Sequence, residues 1–90
     1  MVLQWKDISS YSRNDKERTP TVWELRVDGL RIVIHRIIHY PEWYVSCYDL
    51  NIEDKCLYTE DLEEAKAIGI QTIINKIEEL ERAKSILIGQ

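Results

Sequence analysis

The sequence predicts an α+β domain: an antiparallel sheet of four strands, or five, with one long C-terminal helix packed across one face. Three observations predict it. From Leu62 onward apolar residues recur at three- and four-residue steps, as Leu62, Ala65, Gly69, Ile73, Ile77, Leu80 and Leu87, which places them on one face of a single helix. Ahead of that segment, short runs alternate apolar and polar residues with the period of half-buried strands. Two of these runs flank Asp28-Gly29, a pair suited to the positive φ values of a two-residue type I′ turn. Strands followed by one helix give a sheet with the helix on one face.

The first strand is expected over Val2–Ile8, with Trp5 as its anchor. Ser9 to Pro20 is polar and reads as a long loop. Thr21–Val27 alternates cleanly, with Trp23, Leu25 and Val27 on one face and Val22, Glu24 and Arg26 on the other. The Asp28-Gly29 turn then pairs Val27 with Leu30, Leu25 with Ile32 and Trp23 with Ile34. The third strand is expected over Leu30–Tyr40, and its pattern breaks at Arg36, where strict alternation would turn a charge toward the core; a bulge near Arg36 or a late twist is the expected remedy. Trp43–Tyr48 reads as a fourth strand, Asn51–Asp54 as a turn, and Lys55–Tyr58 as a short last strand. Asp61 is a good N-cap for the helix, with Glu64 placed for a capping box. Trp23 and Ile73 are expected to meet across the sheet–helix interface.

Ninety residues make one domain, 1–90, near the lower end of what folds without a staple. No run approaches the roughly 18 apolar residues of a membrane span, and the first residues lack a signal-peptide pattern, so a cytoplasmic protein is expected. The net charge of −4 is uneven: residues 1–40 carry seven Lys/Arg against five Asp/Glu, and residues 41–90 carry five against eleven. Overall acidity disfavours a dedicated nucleic-acid binder, which needs clustered cations. The acids Glu53, Asp54, Glu60, Asp61, Glu63 and Glu64 lack the spacing of a calcium loop and read as a solvated face or a docking patch.

His35 and His39 lie four apart on an expected strand, about 13 Å along it, too far to share a metal. Cys47 and Cys56 are expected as free thiols, diagonal neighbours on one sheet face, and nothing completes a zinc site around them. No glycine-rich phosphate loop or nucleophile motif is present, so neither an enzyme nor a cofactor is expected. What remains is a candidate binding surface. Arg26, Arg31, His35 and His39, with Tyr44 and Tyr48, are assigned to the outer sheet face as a cationic-aromatic surface. Such a surface suits a protein partner or, alternatively, a single-stranded nucleic acid.

An early Trp5, a hairpin opening Trp23-Glu24-Leu25, and Tyr40-Pro41-Glu42-Trp43-Tyr44-Val45-Ser46-Cys47 precede Asp61-Leu62-Glu63-Glu64-Ala65-Lys66. This order resembles small bacteriophage and prophage accessory proteins, in which a short sheet is followed by a Leu-Glu-Glu-Ala-Lys helix. The resemblance covers most of residues 1–76 and implies a setting, not a site. Here the helix runs on past Lys76.

That extension carries the last expectation. A helix from Leu62 to about Ile88 is roughly 40 Å long at 1.5 Å per residue, whereas strands of six to eight residues span about 20–26 Å. Its final turns should overhang the sheet. Ile70, Ile73, Ile77, Leu80, Lys84 and Leu87 keep the a/d rhythm of a coiled-coil seam, broken by one lysine. Ile77, Leu80 and Leu87 are therefore expected to pack against a second copy of the chain. The alternative is cover from the N-terminal segment or the Ser9–Pro20 loop.

Overall fold

The computed structural model describes residues 3–9 and 20–89. Five strands lie in chain order in one antiparallel sheet: β1 (Lys6–Asp7), β2 (Val22–Val27), β3 (Leu30–Arg36), β4 (Trp43–Cys47) and β5 (Ile52–Cys56). One helix, α1 (Leu62–Ile88), follows and packs on one face. The α+β class and the sheet-plus-helix plan expected from the sequence are both present.

The β2–β3 register is Trp23↔Ile34, Leu25↔Ile32 and Val27↔Leu30, as the hairpin argument required. Asp28 and Gly29 have φ of 44° and 86°, the two positive values of a type I′ turn. β1 is shorter than expected, pairing only Lys6 with Glu24 and Asp7 with Trp23. Most of the expected Ser9–Pro20 loop lies outside the described residues. Ser9 is held where it leaves the sheet: its hydroxyl accepts from the N–H groups of Thr21 and Val22 at 2.8 and 2.9 Å.

Three expectations about strand ends are corrected. β3 stops at Arg36 and carries no bulge there. Arg36 keeps the inward phase beside Trp43, but at the sheet's rim its guanidinium lies over the Trp43 ring at 5.5 Å and donates to the Pro41 carbonyl. An aromatic cover and a carbonyl therefore do what a bulge or a late twist was expected to do. β4 stops at Cys47, and a 3-10 turn over Tyr48–Leu50 with Asn51 at φ 58° closes the hairpin earlier than Asn51–Asp54. β5 consequently begins at Ile52, and the irregularity falls between Val45 and Cys47, where Asp54 takes a positive φ of 47°. That extra residue reverses the phase of β5: Cys47 faces Ile52, while Cys56 faces Tyr44 on the opposite side of the sheet. The two thiols are free, and they do not share a face.

The inner face of the sheet carries Leu25, Ile32, Ile34, Trp43, Val45 and Cys47, all buried, with Ala65 and Ile73 of α1 against them. Full burial of an Ile or Val side chain contributes about 1.5–3 kcal/mol, and Ile34 and Val45 are completely enclosed. The helix comes close because residue 69 is glycine: a β-carbon there would stand 2.5 Å from Ile34 Cδ1. Trp43 ties the helix entry down, its indole N–H donating to the Glu60 carbonyl at 3.0 Å and its backbone N–H to Thr59 at 2.9 Å. Asp61 caps α1 by accepting from the Glu64 N–H at 3.3 Å. The Asp61 N–H itself turns to the Thr59 hydroxyl, so the cap is one-sided.

Candidate functional site

On the outer face of the sheet, Arg26 and Arg31 converge on one carboxylate. Glu24 accepts from the Arg26 guanidinium at 2.9 Å and also from that of Arg31. Cross-strand pairing and alternation bring the three together, since Arg26 faces Arg31 and Glu24 lies two residues along the same strand. The two guanidinium groups hold the Glu24 carboxyl below its usual range. A surface expected to be cationic is thus partly neutralised from within. Reversing both arginines would also strip a mostly covered carboxylate of its partners.

Next to this trio lies a second cluster. His35 Nε2 stands 3.0 Å from Ser46 Oγ and 3.2 Å from Asp54 Oδ1, and the Ser46 hydroxyl donates to the same carboxylate at 3.3 Å. Ser46 also accepts from the Asp54 backbone N–H at 3.0 Å. The Tyr44 ring stacks on His35 at 6.1 Å and meets Tyr40 edge-on. Burial holds the His35 imidazole below its ordinary pKa, against the opposing pull of the Asp54 carboxylate. Residue types of a hydrolytic triad are present, but the roles are not. One imidazole nitrogen faces both the hydroxyl and the carboxylate, no carboxylate among the described residues pairs with the other nitrogen, and Ser46 is buried. The cluster clamps the β5 bulge, which pairing alone would leave with an unsatisfied N–H.

Two of the six residues assigned to this face lie off it. His39 falls after β3 ends, in the turn closed by the Tyr40 N–H to the Ile37 carbonyl, and has φ of 74°. Tyr48 belongs to the 3-10 turn beyond β4 and is exposed. Arg26, Arg31, His35 and Tyr44 remain together on the sheet.

The long helix divides into two parts. Through Ile77 its inner face lies on the sheet; from Glu78 to Gly89 every residue is exposed. Leu80 is 46% exposed, Ile86 66%, Leu87 74% and Ile88 70%. Where the helix leaves the sheet, a cavity of about 180 Å³ opens between it and the β2–β3 hairpin, lined only by apolar side chains that include Leu3, Val27, Leu30, Ile74 and Ile77. Leu3 shows that the N-terminal segment does come across to the rim at Ile77. It leaves Leu80 and Leu87 in solvent.

The reading of single residues missed Lys66. Its ammonium lies 4.6 Å from the Trp23 ring and 5.8 Å from that of Trp5, and it pairs with Glu63 at 3.3 Å. Trp23 packs against the core from its edge beneath this lysine, and its indole N–H meets no acceptor among the described residues. A lysine within the apolar stripe of α1, one turn after Leu62, was the available signal. Cys47 is a buried thiol whose pKa burial pushes up, the setting of a structural cysteine. Among the described residues no cluster of three metal-ligating side chains occurs, and no helix is long and apolar enough to cross a membrane.

No protein-family model matches the chain, and no curated protein or solved structure matches it either.

Proposed function

We propose that this chain is a non-enzymatic accessory protein of the phage type that acts by binding another protein, with the helix overhang as its binding element. The observation that carries this reading is the exposure of Leu80, Ile86, Leu87 and Ile88 on a helix segment with no sheet beneath it. Leu80 and Leu87 share one face with Ile86 and Ile88 flanking it, and monomeric proteins seldom leave such an apolar stripe in water. An amphipathic helix that lays its apolar face against a partner is a recurrent recognition mode. The outer sheet face favours the same reading over nucleic-acid binding. Arg26 and Arg31 are already committed to Glu24, and affinity for phosphates needs free cations.

The test compares the wild-type chain, immobilised, with a Leu80→Glu/Leu87→Glu double variant. Proteins retained from a cell lysate, the chain itself included, should be held by the first and lost by the second, with thermal unfolding unchanged. Equal retention by both overturns the reading. So does salt-sensitive retention of single-stranded DNA that both share with no stripe-dependent protein.

A further inference from the structure

The partner that best fits the overhang is the chain itself. We infer that two copies dock their overhangs antiparallel, so that Leu87 and Ile88 of each copy close the apolar cavity of the other. The inference rests on the protein-binding reading above and names its partner.

Direction comes first. Leu80 and Leu87 follow Ile73 by about two and four helical turns, so they continue the face that lies on the sheet. A parallel partner helix laid on that face would run down into the position the sheet already fills. An antiparallel partner meets no such obstacle. Its own sheet comes to rest beyond the first helix's C-terminus, and the two sheets sit at opposite ends of the paired helices.

Register follows from length and charge. Setting Ile77 of one copy opposite Leu87 of the other overlaps residues 76–88 of both, about 18 Å of helix at 1.5 Å per residue. Lys84, the one break in the seam, then lies against Leu80 and beside Glu81 of the second copy, twice over by symmetry. Neither Lys84 nor Glu81 has an ion-pair partner among the described residues. A parallel seam would instead set Lys84 against Lys84, a like-charge contact in the core of the interface.

The same register explains the cavity. Leu87 arrives at Ile77 and Ile88 just beyond it, at the rim of the 180 Å³ space lined by Val27, Leu30 and Ile74. A wholly apolar space of that size receives an aliphatic side chain better than it receives water. A specific interface needs roughly 1,000 Å², and the exposed apolar side chains of the two overhangs with the two apolar cavities are the surface that supplies it. Each site is incomplete without the second copy.

Sedimentation equilibrium at tens of micromolar, with cysteine cross-linking, tests this. The wild-type chain should sediment at twice its 10.7 kDa, and Leu87→Glu, at an exposed position, should sediment as a folded monomer. The antiparallel register brings residue 83 near its own symmetry mate and holds residue 77 about ten residues from its mate. Ala83→Cys should therefore cross-link between copies under mild oxidation, and Ile77→Cys should not. The reverse pattern overturns the register. A wild-type monomer that still retains another protein through Leu80 and Leu87 overturns the self-association and leaves the protein-binding reading standing. A monomer with no stripe-dependent binding overturns both.

Discussion

The two halves of α1 have nearly the same pattern and opposite surroundings. From Leu62 to Ile77 the inner face meets the sheet, with Ala65, Gly69 and Ile73 buried; from Glu78 to Ile88 the same face continues as Leu80, Lys84 and Leu87, all exposed, with no strand of the described residues beneath it. Periodicity therefore reports that a face is to be covered. It does not report by what. The difference lies in small residues: the covered half uses Ala65 and Gly69 to bring the backbone close to Ile34 and Val45, while the free half presents leucine and isoleucine. Small residues permit a close approach to a sheet that is already in place, and large ones carry the apolar area that a proposed partner would cover.

The sharpest way to break this comparison deletes similar side chains on the two sides of Ile77. Ile73→Ala should cost about 2–5 kcal/mol, the range for a buried isoleucine in a core that cannot collapse around the loss. Leu87→Ala should change the stability of the isolated chain by less than about 0.5 kcal/mol. Urea denaturation at submicromolar concentration, below the range of self-association, measures both. Equal losses would mean that the overhang is covered from within the chain.

A second pair probes approach instead of area. At Gly69 a β-carbon already collides with Ile34 Cδ1, and Ile34 is fully enclosed, so Gly69→Val should cost roughly 1–3 kcal/mol through overpacking. Ala83→Val, on the free half, should cost no more than the few tenths of a kcal/mol that separate valine from alanine in a helix. The midpoint of thermal unfolding for each single variant, read at low concentration, decides it. An Ala83→Val loss as large as that of Gly69→Val would place a neighbour against the overhang of the monomer.

How much of this was legible beforehand depends on how local the signal was. The β2–β3 register followed from Asp28-Gly29 because turn geometry dictates pairing residue by residue. The span of α1 and its projection past the sheet followed from spacing and simple lengths. The phase of β5 was not legible, because it depends on Asp54 adopting a left-handed conformation held by Ser46, eight residues away in sequence. One inserted residue moved Cys56 to the opposite face. The outer face was legible in membership at Arg26, Arg31, His35 and Tyr44 but not in charge, since only the folded geometry shows that the one carboxylate of Glu24 closes on both arginines. His39 and Tyr48 were misplaced because a run of strand-like residues does not show where the partner strand ends.

The smallest expected effect concerns two lysines in the stripe of α1. Lys84 follows Lys66 by eighteen residues, five helical turns, so both leave the helix in the same direction. Lys66 places its ammonium over Trp23 and Trp5, at 4.6 and 5.8 Å from the rings, and pairs it with Glu63. Replacing it by glutamine should cost about 0.5–1 kcal/mol, the range for a cation over an aromatic face that is only partly shielded. Lys84 has no ring or carboxylate beside it within its own described chain, so Lys84→Gln should leave the stability of the isolated chain unchanged. Its effect should appear only when copies meet. With the charge gone, the two contacts to Glu81 of the second copy are lost, and the dimerisation constant should fall while becoming less sensitive to salt. Denaturation at low concentration and sedimentation at two salt concentrations separate these outcomes. A Lys84→Gln protein that is destabilised as a monomer would show that the overhang already has a partner within its own chain.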